Sequence, residues 1–151
     1  MAVCIKDLIQ NRNLVIGCPI GCSYCYARNN VRRFHMIDDF EKPEFFPNKL
    51  RLMDNPCPHN FLLTGMSDFA FWKPEWRDEV FDKMARNPQH QYIFLTKRPE
   101  AISFSTPLDN AWFGVTVTSS KEKGRIQAMK EHIHGGTIRY PLSPCLMMLV
   151  R

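Results

Sequence analysis

The sequence contains no long apolar run, and its longest, Cys145 to Val150, is short and terminal. A membrane-spanning helix needs roughly 20 apolar residues, so we expect no membrane partner. The first residues, MAVCIKDL, lack the charged and then apolar segments of a secretory signal. The sequence also contains no internal repeat and no low-complexity tract. Together these absences predict a soluble cytoplasmic chain.

The composition is that of an ordinary globular domain, with 44% apolar and 23% charged residues in 151 positions. The excess of 20 basic over 15 acidic residues gives a net charge of +5. This charge is compatible with an anionic partner, including nucleic acid. The clearest basic cluster is Arg28, Arg32 and Arg33. A solvated helix face and a phosphate contact both explain it, and the sequence does not decide between them.

Three of the six cysteines stand close together, Cys18, Cys22 and Cys25 in GCPIGCSYCYAR. Their spacing is C-x3-C-x2-C, and three thiolates can bind three irons of a [4Fe–4S] cluster, whose common form takes four cysteines. The fourth iron is then left open. An open metal position separates a reactive site from a structural one, as zinc sites illustrate.

A structural zinc site and disulfide bonds are the alternatives to a cluster at these cysteines. A structural zinc site needs a fourth ligand, and His35, His59 and Cys57 lack a paired ligand spacing. Disulfides are disfavoured because no secretory signal is visible and cytosolic thiols stay reduced. Cys4, Cys57 and Cys145 have no metal-ligand spacing and are interpreted as small hydrophobic residues.

Short apolar runs alternate with amphipathic stretches, which indicates β-α units around a parallel sheet. The predicted strands are Asn13–Gly17, Phe61–Gly65, Gln91–Thr96 and Trp112–Thr118. The predicted helices are Tyr26 to about His35, Pro74–Arg86 and Lys121–His132, and residues 43–59 form a long connection. The fold class is therefore α/β, and we expect a partial (β/α) barrel of about four to five units. Active sites of such folds gather at the carboxyl ends of the strands.

The cysteine motif, with a tyrosine before its third cysteine, resembles that of the radical SAM enzymes. The resemblance implies a [4Fe–4S] cluster on Cys18, Cys22 and Cys25, with S-adenosylmethionine bound to the open iron. It also implies a low-potential electron donor. One electron then cleaves S-adenosylmethionine, and a 5′-deoxyadenosyl radical abstracts hydrogen from a substrate, here unknown.

The resemblance also implies contacts to S-adenosylmethionine. Tyr24 would pack on the adenine. The segment after the second strand would contact the methionine amine, although TGMSD departs from the usual Gly-Gly-Glu pattern; its residues are Gly65, Met66, Ser67 and Asp68. The alternative is a turn in which Ser67 or Asp68 caps the next helix.

Further contacts are predicted after the third and fourth strands. Lys97 would meet the methionine carboxylate, and an exposed basic turn is the alternative. Thr116 and Thr118, alternate residues of the fourth strand, would reach the ribose hydroxyls, although threonine also simply favours strands. Arg125, at the start of the next helix, is a further candidate for binding S-adenosylmethionine.

The set GCxxGCxYCYAR, TGMSD, TKRP and WFGVTV before Arg125 resembles a narrower group over about residues 11–136. This group is the phage- and mobile-element-associated radical SAM proteins, which are distantly related to spore photoproduct lyase. We divide the chain into a core, residues 1–136, and an atypical tail, residues 137–151, without strand or helix periodicity. A frameshift is our hypothesis for the tail, because the tail contains two prolines and a hydrophobic end. The chain is also shorter than the about 250 residues of a full barrel.

Two functions besides the enzyme are compatible with the sequence. One is a non-catalytic module that binds zinc through the cysteine loop and nucleic acid through its basic residues. The other is an inactive truncated fragment.

Overall fold

The computed structural model describes residues 8–117, 119–135, 137–143 and 146–148. Its strands are β1 (Ile9–Asn11), β2 (Val15–Ile16), β3 (Glu44–Phe45), β4 (Asn60–Leu62), β5 (Gln91–Thr96), β6 (Phe104–Thr106), β7 (Ala111–Val115), β8 (Ile133–Gly135), β9 (Thr137–Ser143) and β10 (Leu146–Met148). Its α-helices are α1 (Tyr26–Phe34), α2 (Pro74–Arg86) and α3 (Gly124–His132). Short 3-10 helices cover Pro47–Asp54, Phe69–Phe71, Pro99–Ala101 and Ser120–Glu122.

The fold is built on a mixed sheet with the strand order β1-β4-β5-β7-β9-β10. Neighbouring strands pair in parallel from β1 to β9, and β9 pairs with β10 antiparallel. The predicted α/β class is therefore confirmed. Because the carboxyl ends of parallel strands meet at one edge of a sheet, the loops after β1, β4, β5 and β7 share that edge.

Helix α2 and strand β5 have the bounds that their residue patterns predict. Helix α2 begins at Pro74, a residue suited to the first helical position, and its last turn carries Lys83 and Arg86. Val80 and Met84 on its inner face are fully buried. Strand β5 alternates half-buried and buried residues along its length. Within the described residues, no helix is long and apolar enough to span a membrane.

The predicted first strand, Asn13–Gly17, is wrong in extent and in place. Only Val15–Ile16 is a strand, and it pairs antiparallel with β3, away from the central sheet. The chain turns at Gly17, where φ is +117° and a Cβ atom would lie 2.8 Å from the Cα of Pro43. Strand β1 occupies the sheet position instead, next to β4.

The tail contains β9 and β10, although its residue pattern predicts no regular element. Strand β9 pairs with β7 in parallel, beginning with Trp112 opposite Thr137. Its threonine, isoleucine and tyrosine residues favour a strand, which outweighs the effect of its proline. The division at residue 136 stays a prediction.

The centre of the core is a cluster of aromatic rings around Phe69. Phe69 is 1% exposed, and its ring centroid lies 4.8 Å from that of Phe94 and 5.6 Å from that of Phe113. The rings of Phe94 and Phe113, on the adjacent strands β5 and β7, stack at 5.3 Å. The segment after β4 is thus anchored in the core by a ring that touches both neighbouring strands.

We expect Phe69→Ala to lower the free energy of unfolding by about 3–5 kcal/mol, because the truncation leaves a cavity among fixed rings. The measurement is urea denaturation followed by circular dichroism. Phe34→Ala is the matched control, since Phe34 is 63% exposed, and it should change stability by no more than about 0.5 kcal/mol. Equal losses in the two variants would contradict this account of the core.

Candidate functional site

A cavity of about 150 Å³ lies at the carboxyl edge of the sheet. Its lining includes all three cysteines of the motif and most residues predicted to bind S-adenosylmethionine: Cys18, Cys22, Cys25, Tyr24, Gly65, Met66, Ser67, Asp68 and Lys97. They come from the loops that follow β2, β4 and β5. The volume is below the roughly 300–1,000 Å³ of pockets that enclose a whole small molecule, so a nucleoside-sized ligand would extend beyond it.

Backbone contacts fix the cysteine loop at both ends. The backbone N–H of Cys18 donates to the carbonyl of Phe40 at 2.7 Å. Cys25 is the N-cap of α1, and its Sγ atom accepts from the backbone N–H of Arg28 at 3.5 Å. Cys18, Cys22 and Cys25 are free thiols, each half-buried. All three cysteines therefore line one cavity without a disulfide bond.

Of the remaining three cysteines, the structure describes only Cys57. Cys57 is exposed and is not among the residues that line the cavity. Cys4 and Cys145 lie outside the described residues.

Burial raises the pKa of the Cys18 thiol to about 11. The backbone amide of Ile20 acts in the opposite direction, because its hydrogen bond favours the thiolate, and the charge of Asp68 adds to the rise. Cys18 in the metal-free protein is therefore a neutral thiol at pH 7, and a bound cation would remove its proton.

Lys97 extends from the end of β5 to the cysteine loop. Its Nζ atom lies 3.2 Å from Cys22 Sγ and 2.8 Å from the hydroxyl oxygen of Tyr24. The same atom lies 4.5 Å from the centroid of the Tyr24 ring. Burial alone would lower the pKa of Lys97, but the hydrogen bonds to Tyr24 and Cys22 raise it overall. Lys97 is therefore a charged ammonium group in contact with a motif cysteine.

Asp68 joins the loop after β4 to the end of β5. Its Oδ1 atom accepts from the Thr96 hydroxyl at 2.6 Å and from the Ala70 N–H at 3.0 Å. Its Oδ2 atom accepts from the backbone N–H of Lys97 at 2.8 Å. These bonds make Asp68 the cap of the 3-10 helix at Phe69, which is the alternative role that the sequence left open. Its contact with a methionine amine stays a prediction.

Burial raises the pKa of the Asp68 carboxyl, although hydrogen bonds from Thr96, Lys97 and Ala70 oppose the rise. The folded chain then holds this proton more tightly than the unfolded chain, whose reference pKa is 3.8. The contribution of Asp68 to stability is consequently greatest below pH 3.8 and falls as the pH rises through the folded pKa.

Ser67 and Met66 are tied to the protein on either side of the cavity. The Ser67 hydroxyl oxygen accepts a hydrogen bond from Nε1 of the buried Trp72 at 2.9 Å. The Met66 carbonyl accepts from the backbone N–H of Gly17 at 3.0 Å. The cysteine loop and the loop after β4 are thereby held together beside the cavity.

Tyr26 and Asn13 are two residues at the site that were not predicted from the sequence. The Tyr26 hydroxyl donates to the carbonyl of Gly65, and Tyr26 also lines the cavity. Asn13 Oδ1 is buried without a hydrogen-bond partner among the described residues. A Cβ atom at Gly65 would lie 2.8 Å from it. The second tyrosine of YCYAR was a usable signal, whereas nothing in the sequence indicates the Asn13 contact.

Thr116 and Arg125 contact each other and are not among the described residues that line the cavity. Arg125 Nη1 donates to the Thr116 carbonyl at 2.9 Å and lies 3.0 Å from the Glu122 carboxylate. Strand β7 ends at Val115, so the expected placement of Thr116 within a strand is wrong. Thr118 lies outside the described residues. Binding of ribose by these residues stays a prediction.

The cysteine loop supplies the three thiol donors that a [4Fe–4S] cluster with one open iron requires. Within the described part of the chain, no three His, Cys, Asp or Glu side chains are grouped to hold one metal ion. In a [4Fe–4S] cluster each thiolate binds a different iron, so the thiols must face a shared space without converging on one point. Cys18, Cys22 and Cys25 do face a shared cavity, and the Ile20 amide supplies a hydrogen bond to sulfur.

Residues 8–140 match the model of a family described as "Protein of unknown function (DUF5131)". The matched span includes β1 to β8, the three α-helices and every residue that lines the cavity. No curated protein and no solved structure matches the chain.

We expect Cys18 of the metal-free protein to react slowly with iodoacetamide at pH 8, because a thiol with a pKa of about 11 is ionised in only about one molecule in a thousand. The rate should rise about tenfold per pH unit up to pH 10. Site-resolved mass spectrometry measures it, with the exposed Cys57 as the internal control. A Cys18 rate that equals the Cys57 rate at pH 8 would contradict the assigned burial.

We expect Asp68→Ala to lower the free energy of unfolding by at least about 2 kcal/mol, since three donors lose their acceptor in a buried site. Urea denaturation at pH 7 provides the measurement. Asp82→Ala, on the exposed face of α2, removes the same charge and should cost no more than about 0.5 kcal/mol. An Asp68→Ala protein as stable as the control would show that these hydrogen bonds do not hold the site.

Proposed function

This chain belongs to the DUF5131 family, and we propose that it is a radical SAM enzyme. In this proposal Cys18, Cys22 and Cys25 hold a [4Fe–4S] cluster, and the protein reductively cleaves S-adenosylmethionine to a 5′-deoxyadenosyl radical. The parallel sheet and its helices are then the partial (β/α) barrel of that superfamily.

The observation that carries the proposal is the composition of one cavity. The three cysteines of C-x3-C-x2-C share it with Tyr24, with residues 65–68 and with Lys97. These residues come from separate loops, and the register of β4 and β5 brings two of the loops together. If the C-x3-C-x2-C spacing were accidental, there would be no reason for the other predicted residues to lie around the same cavity.

A bound cluster and S-adenosylmethionine would supply one-electron reduction and the abstraction of a hydrogen atom from the substrate. The chain supplies binding and orientation. The thiols of Cys18, Cys22 and Cys25 would bind iron as thiolates, after loss of their protons. The carbonyl of Gly65 is fixed by Tyr26, and the Asp68 carboxylate fixes the start of the loop that carries Lys97.

Tyr24 forms an exposed rim of the cavity, with 64% of its surface accessible. An aromatic face at that position suits an adenine ring, which stacks on aromatic side chains. Its hydroxyl is held by Lys97, so the ring has a defined orientation.

The partners in this proposal are a low-potential electron donor and an unidentified substrate, in the cytoplasm. Nucleic acid is the substrate class that the surface favours. Helix α1, which follows the cysteine loop, contains three arginines and no acidic residue. Arg32 and Arg33 are exposed, and the Arg33 guanidinium lies 5.3 Å from the centroid of the Phe34 ring. Basic and aromatic groups together bind phosphates and bases.

The test is anaerobic reconstitution with iron and sulfide, followed by dithionite and S-adenosylmethionine. We expect about four irons and four sulfides per chain and the formation of 5′-deoxyadenosine. Cys22→Ala should abolish both cluster assembly and 5′-deoxyadenosine, because it removes one of three iron ligands. Cys57→Ala, at an exposed cysteine away from the cavity, is the matched control and should behave as wild type.

Either of two results would overturn the proposal. One is stoichiometric zinc without sulfide, which would identify a zinc-binding module. The other is 5′-deoxyadenosine that forms equally in the Cys22→Ala protein, which would show that the cysteine loop is not its source.

A further inference from the structure

The ammonium group of Lys97 already has hydrogen-bond partners within the protein, so it is not a free group for binding a ligand's carboxylate. Its Nζ atom lies 3.2 Å from Cys22 Sγ, 2.8 Å from the Tyr24 hydroxyl oxygen and 4.5 Å from the Tyr24 ring centroid. An ammonium group has three N–H donors. One is directed to sulfur and one to the phenol, so the side chain is committed to the cysteine loop.

The backbone of Lys97 is as firmly held as its side chain. Its N–H donates to Asp68 Oδ2 at 2.8 Å, and the Thr96 hydroxyl bonded to Asp68 also accepts from the Arg98 N–H. Pro99, two residues on, is buried and begins a 3-10 helix. The cation is therefore presented to Cys22 from a rigid turn at the end of β5.

We propose that Lys97 is a positioning residue that donates a charged hydrogen bond to the Cys22 sulfur and so raises the reduction potential of the cluster. The proposal rests on the proposed function, because it needs a cluster on the three cysteines. Hydrogen bonds to sulfur and net charge set the potentials of iron–sulfur clusters. Reduction adds negative charge beside the ammonium group, and a fixed cation favours the reduced state.

Tyr24 has a part in the same arrangement. Its hydroxyl and ring face both contact the ammonium group. Such contacts order the flexible lysine side chain. The hydrogen bond to Cys22 therefore costs less side-chain entropy than it would for a free lysine. The tyrosine before the third cysteine thus keeps the lysine on the second cysteine, in addition to any contact with a ligand.

The test is a redox titration of the reconstituted cluster, monitored by electron paramagnetic resonance, in wild type and variants. Lys97→Met removes the cation and keeps an unbranched side chain. We expect its reduction equilibrium to become about tenfold less favourable, which is a midpoint about 59 mV lower for one electron. Lys97→Arg keeps a charged donor and should retain most of the wild-type potential. Tyr24→Phe should give an intermediate shift, because the lysine loses one of its partners.

Two measurements separate an effect at Cys22 from other effects. Lys121→Met removes an equal charge from an exposed position and should leave the midpoint unchanged. Iron and sulfide per chain, measured for each protein, show whether the cluster is intact. If Lys97→Met does not retain its cluster, the comparison of Tyr24→Phe with wild type decides the question.

The outcomes distinguish this inference from the function on which it rests. A wild-type protein that assembles no iron–sulfur cluster would overturn both. A wild-type cluster whose midpoint is the same in Lys97→Met, or in Tyr24→Phe where that comparison decides, would overturn the role of Lys97 and leave the proposed function standing. A lowered midpoint that Lys97→Arg restores and Lys121→Met does not reproduce would support it.

Discussion

The carboxylate of Asp68 connects the parts of this protein that matter for its cavity. It is 6% exposed, and it accepts hydrogen bonds from Thr96, Lys97 and Ala70. A charged group in such a place is costly unless donors surround it. The donors come from the end of β5 and from the 3-10 helix after β4, so satisfying the carboxylate fixes the two loops relative to each other. The direction of Lys97, and through it the surroundings of Cys22, follow from that arrangement.

The cysteine loop has its own constraints, and they are mostly backbone contacts. Gly17 adopts a positive φ beside Pro43, which leaves no room for a side chain. Its N–H then reaches the Met66 carbonyl, while Cys25 caps α1 at the other end of the loop. Exposed loops usually vary in conformation, but this one is fastened at both ends. The three cysteines of this loop therefore have defined positions in the structure.

Local patterns predicted the elements whose signals are complete within a few residues. Helix α2 carries its proline start and buried stripe, and β5 is a six-residue run of strand-forming residues. Strand β1 was missed because IQN is short and two of its three residues are polar. Lys97 was predicted as a site residue, but its contact with Cys22 spans 75 positions and depends on the register of β4 against β5. Such long-range pairings have no local signature, which is also why the position of Asn13 beside Gly65 is not predicted.

Phe69 directly follows Asp68, and its ring contacts the rings of Trp72, Phe94, Phe104 and Phe113. The first residue of this 3-10 helix packs in the core, and its N-cap residue, Asp68, lines the cavity. If the core opened around Phe69, the hydrogen bonds of Asp68 would also be lost, because the two residues are consecutive in the chain. Protein regions that carry binding loops often open on their own. Because Phe69 and Asp68 are adjacent, we expect the loop after β4 to unfold together with the central strands, so that the site is lost when the fold is lost.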